Sequence, residues 1–445
     1  MQLLMMLAVV AAVAISDSAP RQPITDGPLY LMLALACMTA VPLFAVAVAH
    51  VTVSQIRSGV ERQHWLRRFT RLRTAHTILW SASIAAVLYG FGWPQIVRCN
   101  WQLEGLFLAE DLLILFPVVI PMLLSWAVFY EVDRALAVAH SGSGQPLESR
   151  ASYVAMYVRH DLGLLLVPVI SLFALQDTIR WIAPRFDQQG YAPVVYLSML
   201  AVLMVFFPLV LSRIWDTQPL PEGPLRRRLF ATCRGERAPV RDILVWHTGD
   251  RIVNAAVAGF VRRWRYIFLT DGLLRFLTHD QIEAITAHEI GHIRHRHLWL
   301  RMLAIAAPVA VLFGAGAQFA DVMFNNSWQW IVCPVAIGLY AIAIFGPYSR
   351  QLEHQADLFA CSEDSLESDI TVRYCAALER LSSLAGGKRE KSTWLHPSTA
   401  RRVALLRRLG DDPALVRRFH HRLRWLNRLL LGSSAVGLLL VLIAG

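Results

Sequence analysis

Two histidines and a glutamate form the part of this sequence whose residue types and spacing point most directly to chemistry. His288, Glu289 and His292 lie in the stretch TAHEIGH at 286–292. On a helix, residues four apart lie on the same face, so both histidines can reach one metal ion. A zinc ion held by neutral imidazoles lowers the pKa of its bound water to about 7. Glu289 can accept a proton from such a water, so the stretch predicts a hydrolytic zinc site.

The residues before the histidines predict the helix that this geometry requires. Thr278 is suited to the N-cap position, and Gln281 three residues later completes a capping-box pattern. Apolar bulk for the packed side of the helix comes from Ile282, Ile285, Ile290 and Ile293. One alternative stays open at this point, namely a chance pair of histidines on a basic amphipathic helix that also carries His295 and His297.

A catalytic zinc site needs three protein ligands and one open position. The stretch EHQAD at 353–357 offers Glu353 and Asp357, four residues apart and so on one helical face. We predict that Glu353 is the third ligand and that Asp357 stands behind it and orients one of the histidines. His354 competes as a ligand, but its side chain points about 100° around the helix from Glu353. An exposed acidic helix face is the alternative.

A later pair of side chains could complete a hydrolytic site. His396 precedes Pro397, and Arg402 follows six residues after the histidine. Histidine and arginine are the side-chain types that stabilise the oxyanion formed when a peptide bond is hydrolysed. A His-Pro pair alone most often marks a turn.

A run of small residues ahead of the histidines predicts a strand that could hold a substrate. It consists of Asn254, Ala255, Ala256, Val257, Ala258 and Gly259. Glycine in a strand often marks a bulge or a close approach of two backbones, and an edge strand can pair with an extended peptide. We predict substrate binding along this run, although its periodicity fits an ordinary hairpin strand equally well. Two further apolar runs predict strands at 243–246 and 266–269.

The composition predicts an integral membrane protein. Of the 445 residues 56% are hydrophobic and the mean hydropathy is +0.44, whereas soluble domains contain about 45–50% apolar residues. The net charge of +11 comes from arginines beside apolar runs, since Lys388 and Lys391 are the only lysines. This pattern indicates membrane-flanking charge and no nucleic-acid partner. The six cysteines are scattered without a C-x-x-C pair, which argues against a disulfide framework and a thiolate zinc site.

Apolar runs of spanning length, with arginines between them, predict the organisation of the chain. The predicted segments are an N-terminal apolar helix or signal segment (1–27), a five-span membrane region (28–213), a catalytic segment with the substrate strand and the histidines (214–298), two membrane spans (299–348), a second catalytic segment (349–425) and a C-terminal apolar helix (426–445). No basic residue precedes the run at 1–16, so we expect a retained helix. The arginine-rich 53–74 loop predicts a cytoplasmic position, and alternation of spans then puts both catalytic segments on the cytoplasmic side.

In their order and spacing, these motifs resemble the type I CAAX prenyl endopeptidases, a family of integral-membrane zinc metallopeptidases with HtpX-like proteases as relatives. The resemblance covers roughly residues 28–410 and rests on the 254–259 strand, LTDGLL at 269–274, HEIGH at 288–292, EHQAD at 353–357, His396-Pro397 and Arg402. It implies one zinc ion per chain, held by His288, His292 and Glu353, with Glu289 as general acid/base. It also implies that Asp357 lies behind the site and that His396 and Arg402 lie near the scissile carbonyl.

The fold that the resemblance implies is mainly α. A polytopic barrel of membrane helices would enclose a chamber, with a small α/β metallopeptidase domain of the gluzincin type on the cytoplasmic side. The implied function is hydrolysis of peptide bonds in membrane-associated or lipidated peptides and proteins. Five long spans before the catalytic segment and two after it favour the prenyl-endopeptidase arrangement over the HtpX one.

Two other functions stay open. An HtpX-like protease would act in quality control of membrane proteins, and the scarcity of lysine, typical of a genome rich in G and C, favours such a task in a bacterial inner membrane. A transporter or receptor with a structural metal is the alternative of another class, with Glu110 and Asp111 on a permeation path. A structural metal site, however, has no use for Glu289.

Overall fold

We describe the chain from a computed structural model, as two compact units, Met1–Leu203 and Met204–Gly445. The residues that the structure describes are 12, 22–103, 105–139, 149–183, 192–318, 336, 338–361, 369–384, 389–390, 392, 395–410 and 412–444. The run at 1–16, apart from Ala12, and residues 319–335 and 337 of the two spans predicted at 299–348 lie outside these ranges.

The first unit is built from apolar helices. Their ranges are Gly27–Arg57 (α1), Arg62–Ala85 (α2), Ala109–Ala139 (α3), Arg150–Tyr157 (α4), Gly163–Ile182 (α5) and the first part of Ala192–Ile214 (α6). Turns of π-helix extend α2 to Gly90 and join α4 to α5. The core between α1, α2 and α3 contains the buried indole rings of Trp80 and Trp126. The indole N–H of Trp80 donates to the carbonyl of Val118 at 3.1 Å, which satisfies its polar atom inside the core.

Several of these helices are long and apolar enough to cross a membrane. Within the described ranges three stretches meet this description: Gly27–Arg57, Ala109–Val138 and Arg150–Ile182. A fourth is added if His64–Gly90 and Trp93–Asn100, which meet at a bend of 54°, form one broken span. The chain is therefore an integral membrane protein, as its composition predicts. The finer prediction of five spans before the catalytic segment stays a prediction.

An acidic side chain at the start of α3 shows how this unit accommodates a buried charge. Glu110 is 8% exposed and forms a buried ion pair with Arg98. It also accepts a hydrogen bond from the backbone N–H of Gly105 at 2.9 Å. Buried charges are tolerated when they have such partners. Glu110 therefore has a structural role in these contacts and lends no support to a permeation path.

The second unit contains a four-stranded sheet of order β1-β2-β4-β3. Its strands are Thr217–Pro219 (β1), Asp242–Trp246 (β2), Ala255–Ala258 (β3) and Tyr266–Thr270 (β4). The parallel strands β2 and β4 are almost wholly buried, which explains their continuous apolar sequences. β3 pairs antiparallel with β4 and forms one edge of the sheet. The predicted strands at 243–246 and 266–269 and the strand formed by the small-residue run are confirmed.

The chain turns sharply after β3, and Gly259 makes the turn possible. Its φ of 125° lies in the region that favours glycine, and a Cβ at this position would lie 2.6 Å from the Cα of Arg265. The close backbone approach predicted from this glycine is confirmed. It lets the chain return through a short 3₁₀ turn at Arg262–Trp264 into β4.

The second unit also contains the helices that carry most of the predicted site. Their ranges are Pro224–Gly235 (α7), Asp271–Phe276 (α8), His279–Arg294 (α9), His297–Gln318 (α10), Gly346–Ala360 (α11), Asp369–Leu384 (α12), Thr399–Gly410 (α13) and Pro413–Ala444 (α14). The predicted capping box is present at the start of α9, where the side chains of Thr278 and Gln281 each accept the backbone N–H of the other residue. Ile282, Ile285 and Ile290 are buried in the core, as predicted.

Helices α9 and α11 pack closely because residue 291 is glycine. A Cβ at Gly291 would lie 3.1 Å from the Cα of Ala356 and 3.2 Å from the Cβ of Phe359. Both distances are shorter than an ordinary van der Waals contact between carbon atoms. The absence of a side chain at 291 therefore lets α9 and α11 approach each other.

The C-terminal apolar run belongs to a longer helix, because α14 begins at Pro413 and the predicted border at 425/426 falls inside it. α14 packs against α10, and its Leu423 shares a small core with Ala304, Tyr348 and Leu352. The prediction of a mainly helical chain with a small sheet-containing region is confirmed. The helical barrel and its chamber stay a prediction.

Candidate metal centre and active site

The three side chains predicted as metal ligands lie together between α9 and α11. His288, His292 and Glu353 are buried, and each offers one atom within 4.8 Å of the others. The Nε2 atoms of His288 and His292 are 3.3 Å apart. The two carboxylate oxygens of Glu353 lie 3.6 Å from Nε2 of His288 and 3.5 Å from Nε2 of His292.

These distances fit a zinc ion. Ligand atoms about 2.0–2.2 Å from a tetrahedral zinc lie about 3.3–3.5 Å from one another. Two imidazoles and one carboxylate are also a ligand set that catalytic zinc sites use, with the fourth position open. His354 is not part of this cluster, and its Nδ1 lies 3.6 Å from Asp357.

Glu289 connects the metal ligands to the edge strand. The residue is 9% exposed, and its Oε2 accepts a hydrogen bond from the backbone N–H of Val257 at 2.9 Å. Burial raises the pKa of the Glu289 carboxyl. A carboxyl with a raised pKa is suited to accepting a proton and returning it near neutral pH.

An ionised carboxylate supports His288 from behind. Oδ1 of Asp357 lies 3.1 Å from Nδ1 of His288, which is the contact predicted for Asp357. Burial opposes its ionisation, but the charge of Arg402 and the hydrogen bond from His288 hold the pKa of Asp357 well below its usual range. The hydroxyl of Tyr374 donates to Asp357 at 2.7 Å and lies 2.9 Å from Nδ1 of His288.

Arg402 contacts Asp357 and Tyr374 behind His288, on the side of the imidazole ring that points away from the other ligands. Its Nε is 3.1 and 3.0 Å from the two oxygens of Asp357, and its Nη2 is 2.5 Å from Oδ1 and 2.7 Å from the hydroxyl of Tyr374. These contacts are on the Nδ1 side of His288, whereas Nε2 faces the other ligands. The predicted oxyanion role of Arg402 does not fit this position. Its guanidinium instead neutralises the buried carboxylate of Asp357.

Two cationic or polar side chains contact Glu353. Nδ1 of His396, which is half exposed, lies 2.8 Å from Oε2, and Nη2 of Arg301 lies 2.5 Å from Oε1. Burial opposes ionisation, but the neighbouring side chains of His288 and His396 hold the pKa of Glu353 well below its usual range. Glu353 is therefore in the ionised state that binds a metal, and His396 lies beside the centre.

Comparison with known proteins agrees with this geometry. Residues 226–409 match Peptidase family M48, and this range contains every residue of the cluster. Residues 226–409 are thus similar to the peptidase domain of this family. The resemblance of the sequence to this group of metallopeptidases is confirmed.

Individual relatives align with parts of the chain. The chain is 27% identical over 174 residues to a protein named Protease HtpX homolog from Aeropyrum pernix, which covers 36% of this chain and 54% of that protein. It is 26% identical over 175 residues to a protein named CAAX prenyl protease 1 homolog from Arabidopsis thaliana. This alignment covers 36% of this chain and 41% of that protein. Protease HtpX from Haemophilus ducreyi is 27% identical over 222 residues. This alignment covers 42% of this chain and 74% of that protein. The chain thus spans about half the length of the first two relatives.

Among solved structures, the crystal structure of S. mikatae Ste24p matches 86% of this chain and 99% of its own, with a TM-score of 0.46 and 16% sequence identity.

Four residues within 226–409 contact the ligands or their supports and were not predicted as site residues: Arg301, Tyr374, His297 and Gln355. For two of them the sequence contains a signal. His297 follows His292 by five residues, and Gln355 lies between Glu353 and Asp357 on the same helix. Tyr374 is separated from Asp357 by a segment without a motif, so its contact depends on how α12 packs against α9.

Proposed function

We propose that the chain is an integral-membrane zinc metalloendopeptidase that hydrolyses peptide bonds of membrane-associated or lipidated peptides and proteins. One observation carries the proposal: the carboxyl of Glu289, beside two metal-ligand histidines, also accepts a hydrogen bond from the edge strand at Val257. A metal site that only stabilises a fold has no use for this carboxyl. The alternative of a transporter or receptor with a structural metal therefore gains no support.

The residues of the centre divide the reaction between them. When bound, a zinc ion held by His288, His292 and Glu353 would supply Lewis acidity and a water of lowered pKa. Glu289 accepts a proton from the attacking water and donates it to the leaving amine. His396, which contacts Glu353 and is half exposed, donates a hydrogen bond to the oxyanion.

An extended substrate would bind as an additional strand along the predicted run from Asn254 to Gly259. Along an edge strand, successive residues direct their peptide groups alternately towards the neighbouring strand and away from it. The N–H of Val257 donates to Glu289, so it points away from β4. The same side carries the peptide groups of Ala255, two residues earlier. Pairing on this side brings the substrate backbone next to Glu289.

A largely apolar cavity of about 810 Å³ adjoins the end of β3. Its lining includes the apolar side chains of Val257, Phe260, Trp299, Leu300, Leu303 and Leu431, together with Gly259, His292 and the arginines Arg237, Arg265, Arg294 and Arg296. A ligand pocket of this size is in the range that encloses a small organic molecule. We infer that it receives a bulky apolar side chain or a lipid group of the substrate next to the scissile bond.

The first test compares zinc content and cleavage of a quenched peptide by detergent-purified wild type, Glu289→Gln and Glu283→Gln. Glu283 lies on the same helix but contacts Arg228 and Thr232, away from the ligands. We expect zinc in all three proteins, cleavage by the wild type and Glu283→Gln, and about a 10²–10⁴-fold lower kcat for Glu289→Gln. Full activity of Glu289→Gln would refute its role as general base, and a wild type without zinc would refute the metal site.

Lipidation of the substrate needs its own test. Two peptides that differ only in a prenyl group on one cysteine are compared by kcat/KM. A strong preference for the prenylated peptide supports a lipidated substrate. Equal values support the quality-control function on membrane proteins instead.

We also propose that the catalytic segments lie on the cytoplasmic side of a bacterial inner membrane. The arginines of the 53–74 loop support this orientation. Ser58 and Gln102 are both exposed, and because one predicted span separates their loops, alternation puts them on opposite sides of the membrane. In a cysteine-free background, an impermeant thiol reagent added to intact cells should label Gln102→Cys and leave Ser58→Cys unlabelled, and the reverse pattern would contradict the orientation.

A further inference from the structure

A chain of four side chains begins at the metal ligand His292 and ends on the C-terminal helix. Nδ1 of His292 lies 2.8 Å from Nδ1 of His297, at the start of α10. Nε2 of His297 lies 3.0 Å from Oε1 of Gln355 on α11. Nε2 of Gln355 in turn lies 3.3 Å from Nδ1 of His420 on α14. His297 is fully buried, so water does not compete for these partners.

The chemistry of an amide oxygen gives this chain a direction. The oxygen can only accept, so Nε2 of His297 carries the hydrogen and donates it to Gln355. A neutral imidazole carries one N–H, which leaves Nδ1 of His297 without a hydrogen. That nitrogen then accepts from Nδ1–H of His292. Nε2 of His292 is left with a free lone pair, and it is this atom that lies 3.3 Å from Nε2 of His288.

We propose that Gln355 and His297 are positioning residues that hold His292 in the tautomer that binds the metal. The inference rests on the proposed metal site but is independent of peptide cleavage. If the amide were reversed, Nε2 of His292 would carry the hydrogen and could not be a ligand. His288 reaches the same state by another route, because its Nδ1–H faces the carboxylate of Asp357.

Both polar atoms of the Gln355 side chain have a partner, and this pair of partners favours glutamine at 355. The amide has an acceptor for His297 and a donor for His420 at the same time. A carboxylate keeps the acceptor and loses the donor, whereas an ammonium group has only donors. A lysine at 355 would therefore donate to Nε2 of His297 and reverse the direction of the chain.

The experiment measures the zinc dissociation constant of detergent-purified protein by competition with a chelator. The variants are Gln355→Met, Gln355→Glu and Gln355→Lys, with Gln351→Met as matched control, since Gln351 is half-buried one turn earlier on the same helix. We expect Gln355→Met to weaken zinc binding about 10–100-fold, the range typical of residues that orient a ligand histidine. Gln351→Met should match the wild type.

The contrast between Gln355→Glu and Gln355→Lys separates positioning from simple packing. The two variants bring opposite charges into the same place, so the same pair at Gln351, one turn earlier, measures the effect of charge alone. Because only Gln355→Glu keeps the acceptor for His297, the difference in zinc affinity between the Glu and Lys variants should be larger at 355 than at 351. An equal difference at the two positions, or equal zinc affinity for Gln355→Met and Gln351→Met, would overturn the inference. The readout does not involve proteolysis, so a wild type that binds zinc without cleaving peptides would refute the proposed function and leave this inference standing.

Discussion

The two ligand histidines are supported by side chains of opposite character. Behind His288 lie the ionised groups of Asp357 and Arg402, bridged by the hydroxyl of Tyr374. Behind His292 lie neutral groups, His297 and Gln355. Both arrangements satisfy the outer ring nitrogen and direct Nε2 to the metal site.

Both arrangements orient a ligand histidine, but the loss of a supporting side chain has a different energetic cost in each. A buried ion pair is stable only while both charges are present, because removal of one leaves the other without compensation. A neutral hydrogen bond that is lost costs much less. We therefore expect changes behind His288 to affect folding and metal binding, and changes behind His292 to affect mainly metal binding.

The largest effect is expected from Arg402→Met. This change leaves the carboxylate of Asp357 buried and unpaired, and we expect the free energy of unfolding to fall by about 3–5 kcal/mol. Arg401→Met is the matched control, because Arg401 is exposed and Arg402 is mostly buried. The measurement is thermal unfolding of the purified proteins in detergent.

A double variant sharpens this prediction. Asp357→Asn combined with Arg402→Met removes both charges and should be more stable than Arg402→Met alone. If Arg402→Met unfolds at the same temperature as Arg401→Met, the ion pair does not stabilise the region behind His288 and the comparison fails.

An intermediate effect is expected from Tyr374→Phe. The change keeps the ring but removes the hydroxyl that donates to Asp357 and contacts Nδ1 of His288. We expect zinc affinity to fall about tenfold. Tyr348→Phe is the control, because the hydroxyl of Tyr348 donates to Asn427 at 2.7 Å. Equal zinc affinity for the two variants would show that Tyr374 does not orient His288.

The smallest effect is expected from His420→Phe, at the outer end of the neutral chain. Gln355 loses one hydrogen bond worth about 0.5–1.5 kcal/mol, so zinc affinity should fall about two- to tenfold. His421→Phe, at the exposed neighbouring position, should leave zinc affinity unchanged. A loss for His420→Phe as large as that for Gln355→Met would contradict the order of the chain.

Much of the site could be predicted because its residues follow helical spacing. His288 and His292, and Glu353 and Asp357, are pairs four apart, so each pair shares a face wherever its helix packs. The strand at 255–258 and the capping box at Thr278 are likewise local patterns. The position of Arg402 could not be predicted in this way, because a buried carboxylate and an oxyanion attract the same guanidinium and only packing decides between them.

The sequence by itself determined the membrane character, the helix of the two histidines, the small-residue strand and the residues able to hold one metal ion. These follow from composition and from periodicities within single elements. Apart from Asp357, the side chains that stand behind each ligand were decided by the tertiary structure alone. Tyr374, His297 and Gln355 reach the centre because α10, α11 and α12 pack around α9, and no local pattern encodes distances between separate helices.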